Sequence, residues 1–273
     1  MKKASILFVL FLIMPLSIIQ AQSSVNDISL KLTKLYDGIV NSNDDNVKNA
    51  TNDSIKELIR LYTSSEDIFT TKLKEVKYIG EIVSPDNKLK IINWNMFDSK
   101  GVNHYFCYLI HRNGKKKHTS YLEGIYKEES IEIEKEFNSS DWYGALYYDI
   151  QNFKFEGKEL YLILGYDYSP LGLSRKIIET VSFINNEPVF GHYNCLNKEG
   201  KSVKREVLEY SSDGMVTLRF LSRKVIVFDH LTSYATGHTM ETDGYGAALS
   251  FDAYQLEKGT WRFISNVDVR NTK

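Results

Sequence analysis

The stretch NHYFCYLIHRNGKKKHTSYLEGIY, residues 103–126, decides the fold class. Two runs rich in β-branched and aromatic residues, 103–112 and 117–126, flank the pair Asn113-Gly114. Asn and Gly accept the backbone angles of a tight reversal, so the stretch reads as strand, turn, strand. Lys115, Lys116 and Lys117 at the tip keep such a hairpin soluble and do not read as a nucleic-acid patch.

Working outward, the same grammar recurs at 77–83, 88–94, 142–150, 159–166, 176–184, 188–193, 205–211, 215–221, 224–231, 247–256 and 260–269. Most joins carry turn residues, such as SPDNK, FEGK, INNEP, SSDG and EKG. No helical period intervenes, so the strands form an antiparallel meander rather than βαβ units. The expected fold is mainly β: an antiparallel β-sandwich or barrel-like meander with a short N-terminal helical pair. A propeller-like β array is the alternative, because the turns at 84–87 and 211–214 are similar and lead into strands. Two copies do not make a period, and about thirteen strands fill three blades with one left over, below the usual minimum of about four blades. In WYGALYYDI, residues 142–150, Trp142, Gly144, Leu146 and Tyr148 alternate with Tyr143, Ala145 and Tyr147. Both faces are apolar, so this strand should be covered on both sides.

Before residue 72 the period is that of a helix. Ile28, Leu32, Leu35 and Ile39 share one face of a segment 27–42, with Asn26 or Asp27 as its cap. A polar loop, residues 41–53, should follow. Ser54 and Glu57 have capping-box spacing, and Ile55, Leu58, Ile59 and Tyr62 form a second stripe. The domain reading is a signal peptide at 1–21, a helical segment at 22–72 and an antiparallel β domain at 73–273.

The leader reading rests on Lys2 and Lys3, an apolar run from Ala4 to Ile19, and a small residue, Ala21, at the cleavage point. The run is short for a membrane span and contains Pro15. The mature chain is expected to be exported to the periplasm or beyond, with no transmembrane segment. Its charge is 32 basic against 35 acidic side chains once Lys2 and Lys3 are removed, a formal −3. Neither sign dominates, which excludes an electrostatic case for nucleic acid. Cys107 and Cys195 stand in apolar strand-like runs, and either a disulfide or two buried thiols fits an oxidising compartment. No CxxC or Cys/His cluster points to structural zinc, and no cofactor is expected.

Several runs resemble segments of a group of uncharacterised secreted proteins from Bacteroidetes-type bacteria. They are KYIGEIVSPDNKLKIINWNM, WYGALYYDI, ELYLILGYD, SRKIIETVSFINNEPVFG, REVLEYSSDGMVTLRF and IVFDHL. The resemblance spans Tyr78 to Asn271 and implies an exported bacterial protein. It carries no activity and no site.

For chemistry, the polar stretch FDHLTSYATGHTMETDGYG, residues 228–246, holds Asp229, His230, His238, Glu241 and Asp243. Imidazole and carboxylate ligands suit divalent metals, so His230, His238 and Asp243 are the candidate metal ligands. Asp229, His230, His238 and Asp243 are the candidate catalytic residues. The spacing of the histidines is not a recognised ligand pair, and a solvated loop between strands explains the stretch more simply. A nucleophile elbow is absent; LGLSRK at 171–176 lacks the glycine after serine. HExxH is absent too. Asp141, Asp149, Asp167, Asp229 and Asp252 flank aromatic strands, but no spacing selects a pair for glycoside hydrolysis. The generous aromatic content suits core packing first and a glycan or peptide ligand second. The functional expectation is a non-enzymatic binding or envelope-associated structural protein. The alternative is a periplasmic or extracellular hydrolase that uses carboxylate and His groups of residues 229–243.

Overall fold

The computed structural model describes residues 14–170, 172–212, 214–234 and 244–268. The chain divides into two compact units, residues 1–79 and 80–273.

The first unit is a helical pair. Helix α1 spans Met14–Val40 and α2 spans Asp45–Thr63. Val25, Ser29, Leu32, Tyr36 and Ile39 are buried along α1, and Ile55, Ile59 and Tyr62 along α2, at helical spacing. The chain beyond α2 returns to α1: Lys74 N donates to Ser29 Oγ at 3.0 Å, and Tyr36 stacks on Tyr78 at 4.6 Å. Two expectations are corrected. Helix α1 runs through Asn26 and Asp27, so neither caps it. Helix α2 begins at Asp45, ahead of the expected Ser54 box, because Asp44 is the cap and accepts Asn46 N at 2.8 Å. Most of the expected loop 41–53 is therefore helix, and Ser54 Oγ donates to Ala50 O inside it. Of the expected leader, residues 1–13 lie outside the described residues. No helix among the described residues is long and apolar enough to cross a membrane.

The second unit is a stack of three open sheets. The first contains β1 (Gly80–Val83), β2 (Leu89–Phe97), β3 (Asn103–Asn113) and β4 (Lys116–Ile125) in meander order. The central sheet contains β6 (Leu146–Phe155), β7 (Lys158–Tyr168), β8 (Leu173–Ile184) and β9 (Glu187–Phe190), with the short β5 (Phe137–Asn138) beyond β9. The twelve residues of β8 serve two partners along one edge: its C-terminal end pairs β9, and its N-terminal end pairs β12 (Arg205–Ser211). The third sheet runs β11 (Lys201–Val203), β10 (Leu196–Lys198), β16 (Thr260–Val267), β15 (Gly244–Glu257), β14 (Val225–Tyr234) and β13 (Leu218–Ser222). All pairings are antiparallel except β10 with β16. Each expected strand is present; the three additional strands are β5, β10 and β11, with two or three residues each.

Alternation along β7 fixes the layer order. Tyr161 and Ile163 enter one core with Ile91, Tyr105 and Leu109 of the first sheet. Leu160, Leu162 and Leu164 enter a second core with Ile226, Tyr254 and Trp261 of the third. Continuous apolar runs are what a strand covered on both faces requires. The 142–150 stretch differs from the expected cover on both sides: its packed residues enter the core shared with the first sheet, Tyr148 is exposed, and its strand starts only at Leu146. Gly144 has φ +93, and a register shift between Tyr147 and Asp149 moves every later side chain to the other face. Tyr147 and Ile150 thus face the same core, against strict alternation. At Gly144 a Cβ would stand 2.5 Å from the Tyr105 ring, and at Gly124 one would stand 2.5 Å from the Gly144 backbone. These glycines let the first and central sheets touch.

The cysteines are free and buried in separate cores, Cys107 in the first and Cys195 in the second. Burial drives the Cys107 thiol well above its ordinary pKa and the Cys195 thiol up to about 12. Both stay protonated and inert.

Candidate functional site

Between β4 and β5 runs a strap, residues 127–136, with sequence KEESIEIEKE and no strand structure. Two arginines of the central sheet hold its backbone. Arg175 uses all five N–H groups: on Asp167 Oδ2 and Lys127 O at 2.8 Å, Glu209 Oε1 at 2.8 Å, Glu128 O at 3.0 Å and Glu129 O at 3.2 Å. Arg205 binds Glu132 O, Lys135 O at 2.6 Å and Glu179 Oε2 at 3.1 Å. Glu179 is fully buried and also accepts Tyr147 Oη at 3.0 Å and Tyr143 Oη. Burial pushes both phenols well above their ordinary range, so they remain donors. Burial likewise raises the Asp167 carboxyl, opposed by hydrogen bonds from Arg175 and from Tyr105 Oη.

The strap separates two clefts. The larger, about 1010 Å³, has Arg175, Asp167, Glu123 and Trp142 among its walls. Arg175 and Asp167 are saturated by the bonds above, so they have little left to offer a ligand. The other cleft, about 520 Å³, opens between the strap, β12 and the third sheet. Four consecutive β12 residues, Glu206 to Glu209, line it. A strand presents consecutive residues in this way only along an edge, and among the described residues β8 is the one ladder partner of β12. Apolar walls come from Ile131, Ile133, Phe228, Leu231 and Phe263. Two of the cleft's carboxylates are engaged. Glu206 accepts Tyr254 Oη at 2.9 Å and Lys198 Nζ; Glu209 accepts Ser130 Oγ at 3.0 Å as well as Arg175.

His230 and Asp252 form the remaining polar pair, Nδ1 to Oδ2 at 2.8 Å. Two irregularities build it. The β14–β15 ladder shifts register between Asp229 and Leu231, and the β15–β16 ladder shifts between Phe251 and Ala253. Opposite Asp252, Asn266 takes φ +55, and its N–H reaches Asp252 Oδ1 at 3.1 Å. Bulges re-aim side chains, and here they aim a carboxylate that is 4% exposed at a ring that is 41% exposed. The Asp252 carboxylate accepts a hydrogen bond from Nδ1, which in the neutral ring leaves the lone pair on Nε2. Among the described residues Nε2 has no hydrogen-bond partner.

The sequence-derived candidates are redistributed. Asp229 does not join His230: its Oδ2 accepts Thr217 N at 2.7 Å, because adjacent strand residues point to opposite faces. His238, Glu241 and Asp243 lie outside the described residues. Among the described residues no three His, Cys, Asp or Glu side chains gather as a metal site would need. The five strand-flanking aspartates each find a separate partner. Asp141 meets Asn138 N at 2.8 Å and Lys135 Nζ at 3.3 Å, and Asp149 meets Ile150 N at 2.8 Å. Asp167 meets Arg175, Asp229 meets Thr217 and Asp252 meets His230. No two of them face each other as an acid–base couple. The chain matches no known protein family, no curated protein and no solved structure.

Proposed function

We propose that this chain is an exported bacterial protein that binds an extended peptide in the cleft beside β12. The carrying observation is the cleft floor, an edge strand of the central sheet whose outer rim has no ladder partner among the described residues. A peptide laid along such a rim gains main-chain hydrogen bonds, and its alternate side chains meet pockets. Ile133, Phe228 and Phe263 supply apolar contacts, while Glu199, Ser265 and His230 supply polar ones. Apolar walls with a few placed polar groups, in a volume of a few hundred Å³, are the usual make-up of a ligand site. Export is supported by the leader-like composition of residues 1–21 and by the resemblance to secreted bacterial proteins.

The test is a screen of short peptides by thermal shift and by movement of the His230 ring signals in NMR. Each hit is then repeated with a backbone N-methylated version. Binding that N-methylation abolishes is the expected result. Equal binding of the methylated peptides, or no hit that moves the His230 signals, removes the strand-addition reading. Sequencing the N-terminus of the protein recovered from outside the cytoplasm should begin at Gln22.

A further inference from the structure

We infer that the β12 cleft is also a hydrolytic site, in which His230 acts as general base on a water molecule and Asp252 is its positioning residue. This rests on the cleft being a ligand site. Three observations carry it. The ring is oriented by a carboxylate at 2.8 Å. That carboxylate is itself held by Asn266 N at 3.1 Å, on a residue in the left-handed region. Finally, the ring lines the cleft, and its Nε2 is without a hydrogen-bond partner among the described residues. Packing alone does not call for two bulges and a positive-φ asparagine around one surface histidine. A strained, over-determined arrangement of this kind is the form that functional groups take.

The chemistry follows from the tautomer. Nε2 takes a proton from water as the water oxygen bonds to an acyl carbon. The tetrahedral oxyanion collapses, the bond from carbon to the leaving oxygen breaks, and that oxygen takes the proton back from Nε2. Ester and water become carboxylic acid and alcohol, with no other reactant. The substrate class is a carboxylic ester, whose alkoxide leaves on the proton that the imidazolium returns. Phe228, Leu231 and Phe263 give the acyl side an apolar seat. The charged groups that share the cleft with the ring are Asp252 on β15, Glu206 and Glu209 on β12, and Lys198 and Glu199 beside β10.

The experiment is hydrolysis of p-nitrophenyl butyrate and N-acetyl-leucine p-nitrophenyl ester by the folded chain, with free imidazole at equal concentration as reference. A rate at least ~100-fold above that of His230→Gln is expected, since a placed general base contributes about 10²–10⁴-fold. The pH profile should follow the ring's own NMR titration. Asp252→Asn should lower kcat and move the midpoint of that profile at unchanged KM, a pattern that a purely structural role would not give. His230 is 41% exposed, so its variant is expected to fold, and a thermal melt checks this. A native rate equal to that of His230→Gln overturns the inference. The amide analogue separates the two readings. If it moves the His230 signals while the esters are not turned over, the cleft binds but does not hydrolyse; if it moves nothing, both readings fall.

Discussion

On the face of the central sheet turned toward β1–β4, charge is buried and consumed. Arg175 and Arg205 are each 1% exposed and bond to carboxylates and to the carbonyls of the strap. On the face turned toward β13–β16, the core is mostly apolar, Glu206 is engaged by Tyr254 and Lys198, and the His230–Asp252 pair stands at its mouth with a ring nitrogen left over among the described residues. The difference separates two uses of polar residues. A buried guanidinium with every donor placed stabilises one backbone course and has nothing left for a ligand. A half-exposed imidazole fixed from one side keeps its other side for chemistry. Burial and perturbed titration therefore point to the strap, whereas function is better sought where a placed group remains unsatisfied.

The largest way to break the comparison is Arg205→Met. It leaves the Glu179 carboxylate, fully buried, without its cation, and a broken buried pair costs about 3–5 kcal/mol. Urea unfolding should show this loss, and proteolysis should cut first within 127–136 because the carbonyls of Glu132 and Lys135 lose their donor. A smaller loss is expected at the junction of the first and central sheets. Gly144→Ala adds a methyl 2.5 Å from the Tyr105 ring at φ +93, and overpacking of this kind costs roughly 1–3 kcal/mol. An unchanged denaturation midpoint would mean that the two sheets are not in the contact described.

The acid limb gives a third, gentler test. His111 stacks on Phe183 at 3.8 Å, and burial depresses its pKa to about 4. The unfolded chain, with an imidazole near 6.5, takes up the proton first. Stability linked to this residue is thus fully present above pH 6.5 and is lost as pH falls from there toward 4. His111→Gln should flatten this part of the pH–stability curve. A curve of unchanged slope would place the acid sensitivity elsewhere.

Much of the fold was legible because its signal is local. Most of the longer strands are rich in β-branched and aromatic residues and lie between turn residues, and β7 shows its double burial as Leu160, Tyr161, Leu162, Ile163, Leu164. The short strands β10 and β11 were not legible, since three residues carry no period. Helix α2 was misread at its start because Asp44 and Ser54 both suit a cap, and only the structure shows which one is used. The site was half legible. His230 stood out by type, but its partner lies in AALSFDAYQL as one more acid on a strand. What brings Asp252 to it is a pair of register shifts that leave no mark in composition. Asn266 in SNVDV was the available hint, as asparagine tolerates the left-handed backbone that a bulge needs. The strap was invisible for a different reason: its order comes from arginines 46 to 73 residues further along the chain.

Equilibrium unfolding of Glu179→Gln and His230→Gln side by side tests the division between structural and functional charge most directly. The account predicts a loss of several kcal/mol for Glu179→Gln, which leaves the tyrosine hydroxyls an acceptor but takes the counter-charge from Arg205 and sets an amide N–H against its Nε, and a change within about 0.5 kcal/mol for His230→Gln. A large loss at His230 with little at Glu179 would contradict it and make the His–Asp pair part of the scaffold.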